Sequence, residues 1–228
     1  MATKKTQAEQ ERAERETRRA LASAISVALL LRGRRRNLIR DAERRLVDAL
    51  TPALVQVRRG ASRRSLVALR AELRAAGVLA DVPASVAGWL RGKRSRIWEP
   101  SAYRPESSVS ARRLMRRLAR RWRTAAEEAR EELTDRAAMR RATRLMRPAL
   151  ETITVTESSV AFTEARLSYL DEVARLGGPL VTLRWVAESD ACPRCQHLDG
   201  DEVPADEGWP SPPGAIHPNC RCYAEVVT

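Results

Sequence analysis

The sequence predicts a mostly α-helical chain: an Arg-rich helical N-terminal region followed by a small α+β C-terminal module. Three observations carry that expectation. Aromatic residues make up 4% of the chain, with Phe162 the single Phe, and an all-β sandwich or barrel wants more aromatic and β-branched residues. Up to about residue 176, Ala, Arg, Glu and Leu dominate, and apolar residues recur at spacings of three and four. All four cysteines then fall in the last 37 residues, inside a Pro-rich stretch with too little apolar sequence for a core of its own. A hydrophobic content of 43% excludes disorder throughout, and 228 residues suffice for one large or two small cores.

The elements follow in order. Residues 1–6 read as a frayed tail, and residues 7–57 as helical, with Ile39, Ala42, Leu46, Leu50 and Leu54 forming one apolar stripe. Gly33 is a break point. Gly60 punctuates, and a separate helix is expected over 62–76, with Leu66, Leu69 and Leu73 on one face and Gly77 as its stop. Asp81-Val82-Pro83 opens a short helix through Leu90. Residues 91–108, with two prolines and many polar residues, read as a linker. Residues 110–147 give the strongest helix, with Met115, Leu118, Trp122, Ala125, Ala129 and Leu133 as its seam and Pro148 kinking or ending it. Another helix runs over 151–176 and stops at Gly177-Gly178. Strands are expected over Val181–Val186 and Cys222–Val227. The resulting regions are 1–108, 109–178 and 179–228.

Charge divides the chain. Residues 1–150 hold 37 basic and 16 acidic side chains, and residues 151–228 hold 5 and 13, so +21 is followed by −8. Of the 42 basic residues, 39 are Arg. Arg112, Arg113, Arg116, Arg117, Arg120 and Arg121 crowd one helix, and Arg34, Arg35 and Arg36 form a second run. These residues are candidates for contact with duplex DNA or with an acidic protein surface. The bland alternative is a solvated face enriched in Arg by genome composition. The longest apolar stretch, Ala20–Leu31, is shorter than the ~20 residues a membrane span needs. Glu9, Glu11, Glu14 and Glu16 precede it, which argues against a secretion signal.

Cys192-Pro-Arg-Cys195 is a C-x2-C knuckle, and His217-Pro-Asn-Cys220-Arg-Cys222 follows it. A structural zinc ion takes four tetrahedral sulfur or nitrogen ligands, typically two from each of two loops. Five candidates compete for four places: Cys192, Cys195, His217, Cys222 and Cys220. The preferred set is the first four, with Cys220 as substitute; on a strand Cys220 and Cys222 would point the same way. Unligated thiols or two disulfides are the alternative, but clustered cysteines without a secretion signal favour metal. Asp190, Asp199, Asp201 and Glu202 read as turn and surface residues, and His197 as a bystander.

At these residues the sequence resembles the phage head morphogenesis family, the Mu F-like minor head proteins of tailed phages. Trp185, Asp190, Cys192-Pro-Arg-Cys195, Leu198-Asp199-Gly200, Pro212-Pro213 and His217-Pro-Asn-Cys220-Arg-Cys222 carry the resemblance, which covers about residues 150–228. Thr156-Glu157 sits where such proteins often carry Arg-Thr-Glu, with Val155 in place of the Arg. The resemblance implies a virion component made in the host cytoplasm and built in few copies near the portal vertex. Its partners would be the portal or major capsid protein and packaged double-stranded DNA. No catalytic residue is expected, and no Walker loop, GxSxG or HExxH motif occurs. The competing readings are a zinc-dependent nuclease and a DNA-binding zinc-ribbon regulator; the acidic C-terminal region argues against the latter.

Overall fold

A computed structural model describes residues 7–9, 11–12, 15–16, 18–19, 22–23, 25, 38–78, 105–175 and 177–227. Arg34, Arg35, Arg36, Gly33, the short helix expected over 81–90 and most of the expected linker lie outside these residues. The elements are α1 (Leu38–Ala75), α2 (Pro105–Ala129), α3 (Asp135–Arg175), β1 (Thr182–Val186), α4 (Pro193–His197), β2 (Glu202–Pro204) and β3 (Tyr223–Val227). The chain is mostly helical with a small C-terminal sheet, as its composition predicts. No helix among the described residues is long and apolar enough to cross a membrane.

Three helix boundaries differ from expectation. Gly60 does not end a helix: α1 runs unbroken through both Pro52 and Gly60. Pro148 likewise sits inside α3, and the real break lies at 130–134, short of the predicted end at Arg147. The expected linker overran, because Pro105 to Ser108 already belong to α2, where Pro at the first helical position loses no bond. A helix-interior Pro costs about 3 kcal/mol, but packing outweighs it here. Pro52 and Pro148 are exposed, while Leu50 and Leu54 beside one, and Met146 and Leu150 beside the other, are buried. Each such side chain contributes roughly 1.5–3 kcal/mol on burial. The carbonyl that each proline leaves unpaired belongs to Asp48 or Arg144, both exposed residues with access to water.

The chain forms two units. The helical unit comprises Glu16–Val57 and Arg104–Thr154, the first part of α1, all of α2 and the first part of α3. Its core is the predicted stripe of Ile39, Ala42, Leu46, Leu50 and Leu54, closed by Met115, Leu118 and Trp122 of α2 and by Ala142 and Met146 of α3. The Trp122 indole N–H donates to Thr143 Oγ1 at 3.1 Å, which satisfies the one polar atom that a buried Trp brings.

The mixed unit comprises Met1–Arg15, Arg58–Tyr103 and Val155–Thr228. Here α1 and α3 meet along small residues: Ala61 and Ala68 pack with Ala161 and Phe162. Ser62 Oγ reaches the Ala161 carbonyl at 3.1 Å, and Ser65 Oγ donates to the Phe162 carbonyl. Beyond this seam lies a three-stranded antiparallel sheet in the order β2-β1-β3. Leu183 of β1 pairs with Val203 and Val226 and faces Leu66, Leu69, Leu73, Tyr169 and Leu170. Two residues on, Trp185 is buried among the cysteines.

One charged pair sits inside this core. Arg166 of α3 is 0% exposed and Glu72 of α1 is 3% exposed, and they form an ion pair. Glu72 Oε2 also accepts the Val226 backbone N–H of β3 at 3.2 Å. Glu72→Leu should therefore destabilise the mixed unit by about 3–5 kcal/mol, because it strands a buried guanidinium. Adding Arg166→Met should recover most of the loss but not all, since the Val226 amide stays without its acceptor. Chemical denaturation of both variants checks this; equal stability of single and double variant would contradict it.

Candidate metal centre

The knuckle begins where β1 ends. Cys192 is extended (φ −65°, ψ 159°), and Pro193 starts the single-turn helix α4, which carries Cys195 into the interior. The second loop returns toward β3. Asn219 adopts a left-handed φ of 64°, a conformation that Asn tolerates better than most residues, and thereby turns the chain between His217 and Cys220. Cys222 directly precedes β3. Neither Cys220 nor Cys222 lies in a strand, contrary to the expected boundary, yet both are buried.

All five predicted donors come together. The donor atoms of Cys192, Cys195 and His217 lie within 4.8 Å of one another, and so do those of Cys195, Cys220 and Cys222. Cys195 belongs to both groups and is fully buried. Cys192 Sγ and Cys195 Sγ stand 3.1 and 3.4 Å from His217 Nε2, and Cys195 Sγ is 3.7 Å from Cys220 Sγ. The Pro218 carbonyl accepts from His217 Nδ1 at 2.8 Å, which fixes the proton there and frees Nε2 to act as a donor atom. The four thiols are free, so the expected alternative of two disulfides is not present. The arrangement can hold a metal ion through sulfur and nitrogen alone.

The two adjacent cysteines differ in character. The Cys220 thiol is pulled down to about 5, first by a hydrogen bond from the Cys222 side chain and further by the Cys222 and Gly214 backbone. Cys222 is pushed strongly upward by that same bond and by burial. Cys192 is lowered, chiefly by the backbone N–H of Cys195 at the start of α4, which suits it to bind metal as thiolate.

Helix α3 supports this loop at two points. The Asn219 N–H donates to Thr156 Oγ1 at 2.9 Å. One helical turn on, Gly214 (φ +84°) passes so close that a Cβ there would lie 3.0 Å from the Ser159 backbone. Thr156 is thus a real contact of the loop, while Glu157 beside it pairs with Arg58 of α1 rather than with the centre. Ser159 and Gly214 carried no signal in the sequence, since a serine on a helix and a glycine in a Pro-rich loop look ordinary. Their roles appear only when the two backbones meet.

The remaining signature residues brace the loops. Asp199 Oδ1 accepts the Ala187 N–H at 2.8 Å, and the Gly200 N–H donates to the Trp185 carbonyl at 2.9 Å. Asp190 pairs with Arg221, and Glu202 with Arg184 at 3.0 Å. Trp185 packs edge-on against Trp209, with centroids 5.5 Å apart. His197 is exposed and outside the cluster. Among the predicted basic residues, Arg112, Arg113, Arg116, Arg117, Arg120 and Arg121 are all exposed on α2, in the helical unit, and take no part in this centre.

No protein-family model, curated protein or solved structure matches the chain.

Substitutions at two loop glycines separate backbone strain from close approach. Gly200 (φ +85°) has nothing within 4 Å of its would-be Cβ, whereas Gly214 meets Ser159. Each change to Ala should lose about 1–2 kcal/mol from the left-handed φ. Gly214→Ala should lose distinctly more and also weaken metal binding. Paired urea melts and metal titrations check this; equal losses at both sites would show that the contact with α3 does not matter.

Proposed function

We propose that the C-terminal module is a closed structural zinc site and that the chain is a minor head protein of a tailed phage, incorporated near the portal vertex. The observation that carries the reading is the convergence of the signature residues. Two loops deliver only sulfur and nitrogen donors around the buried Cys195, and Trp185, Asp190, Asp199 and Gly200 brace those loops. Zinc–thiolate bonds of about 2.3 Å in tetrahedral geometry place two sulfurs about 3.8 Å apart, and the Cys195–Cys220 separation of 3.7 Å fits that edge. When bound, the ion would cross-link the loops that flank α4 and β3, which have little apolar core of their own.

A donor set can be proposed from the same geometry. Cys192, Cys195 and His217 supply three ligands. We assign the fourth place to Cys220, whose sulfur lies 3.7 Å from Cys195 Sγ, with Cys222 beside it in the same group of donors. This choice differs from the order of preference read from spacing alone. Cobalt substitution tests it, because sulfur-to-cobalt charge-transfer intensity counts thiolate ligands. Cys220→Ser should lose one thiolate's intensity and most of the affinity. Cys222→Ser should keep three thiolates and lose no more than about tenfold in affinity. The opposite pattern would assign the fourth place to Cys222.

A sulfur/nitrogen site with no carboxylate in either donor group, among the described residues, suits folding better than hydrolysis, which needs an open position and an acid or base. Portal or capsid protein, in the virion and in the host cytoplasm before assembly, would be the partner of the helical unit. Quantitative mass spectrometry of purified particles tests the assignment. A low, fixed ratio of this chain to portal protein is expected; absence from mature heads would contradict it.

A further inference from the structure

We infer that the outward face of α2 is a docking strip for the phosphate backbone of duplex DNA. The inference deepens the head-protein reading by naming what the basic helices take. Arg112-Arg113, Arg116-Arg117 and Arg120-Arg121 form three adjacent pairs, each four residues beyond the last. A helix rises 1.5 Å and turns 100° per residue, so successive pairs stand about 6 Å apart and rotate by about 40°. The pairs therefore make a continuous strip, two side chains wide. Between 112 and 121 every exposed side chain is one of these six Arg. The opposite face, with Ala111, Met115, Leu118, Ala119 and Trp122, is buried in the core, so the strip is fixed outward.

The strip lacks internal compensation. Arg112 alone has a carboxylate at hand, Asp48 at 3.7 Å, with both side chains more than half exposed. No ion pair holds the other five among the described residues. A row of evenly spaced, uncompensated guanidinium groups complements a linear array of evenly spaced anions. Duplex DNA is such an array, with one charge per about 1.7 Å of axis and a condensed counterion layer whose release drives binding. Arg also matches phosphate oxygens through its planar fork.

Composition selects among anionic partners. A protein interface has an apolar or aromatic centre that anchors it, and this strip has none. A single-strand site interleaves aromatic residues that stack on bases, and none is exposed here. Contacts made through phosphates alone give affinity without sequence preference.

The test is fluorescence anisotropy of the full chain with a short duplex of arbitrary sequence, titrated across salt. Six phosphate contacts predict a log–log salt slope of about −5 and roughly a thousandfold loss of affinity between about 50 and 200 mM salt. Replacing Arg116, Arg117, Arg120 and Arg121 together by Gln should reduce the slope by about 3–4. Replacing the same four by Lys should restore it, which separates lost charge from lost folding. Arg63→Gln with Arg74→Gln, exposed positions in the mixed unit, should leave it unchanged. A Gln variant that binds with the wild-type slope would overturn the inference. So would poly-glutamate competing as well as duplex per unit charge, which would assign the strip to an acidic protein. Tighter binding of poly-thymidine single strands would overturn it too. Particle mass spectrometry is independent of this result: a chain present in heads that ignores DNA refutes only the strip, and a DNA-binding chain absent from heads refutes only the head-protein reading.

Discussion

Arg166 and Glu72 are both almost fully buried; they pair with each other, and the carboxylate also receives the Val226 amide of β3. That single carboxylate ties α1, α3 and the edge of the sheet. Replacing such a pair by apolar residues is often neutral or better for stability, but here an apolar pair would leave the Val226 amide without its acceptor. A sheet of three short strands has few ways to fix its register on a helical surface. A charge that accepts one particular amide removes the ambiguity, and the position of β3 in turn sets where Cys222 and Cys220 enter the cluster.

From that anchor the metal centre assembles from both ends. β1 places Trp185 and leads to the knuckle; β3 receives the chain from the second loop. Between them, α3 fixes the loop twice, through Thr156 to Asn219 and through Ser159 against Gly214. Gly214 then reaches Cys220, whose sulfur accepts its N–H. The donors are thus held by hydrogen bonds and close backbone approach as well as by packing around Trp185, which explains how a stretch with six prolines between β1 and β3 keeps a defined shape.

Much of this was legible in the sequence, for identifiable reasons. The stripe Ile39–Leu54, the seam of α2 and the five donor residues all announce themselves by spacing, and spacing survives folding. The helix ends were less legible. Pro52, Gly60 and Pro148 carry strong local penalties, but local penalties of about 1–3 kcal/mol yield to the burial of the leucines and methionines beside them. The true break at 130–134 had a quieter signal, a Thr-Asp pair of the kind that starts helices. The contacts of Ser62 and Ser65 carried no sequence signal, because a serine hydroxyl that donates across to another helix's carbonyl looks no different in sequence from one that faces water. Spacing leaves the choice between Cys220 and Cys222 open, because both thiols lie within 4.8 Å of the Cys195 sulfur.

The central claim is that a bound metal ion holds the C-terminal module in shape while the helices stand without it. Hydrogen exchange measured on the full chain, with and without a strong chelator, tests this most directly. Removal of metal should erase amide protection in 182–204 and 214–227 and leave that of 42–54 and 115–126 intact. Protection in the module that is indifferent to the chelator, or that collapses together with the helices, would contradict the claim.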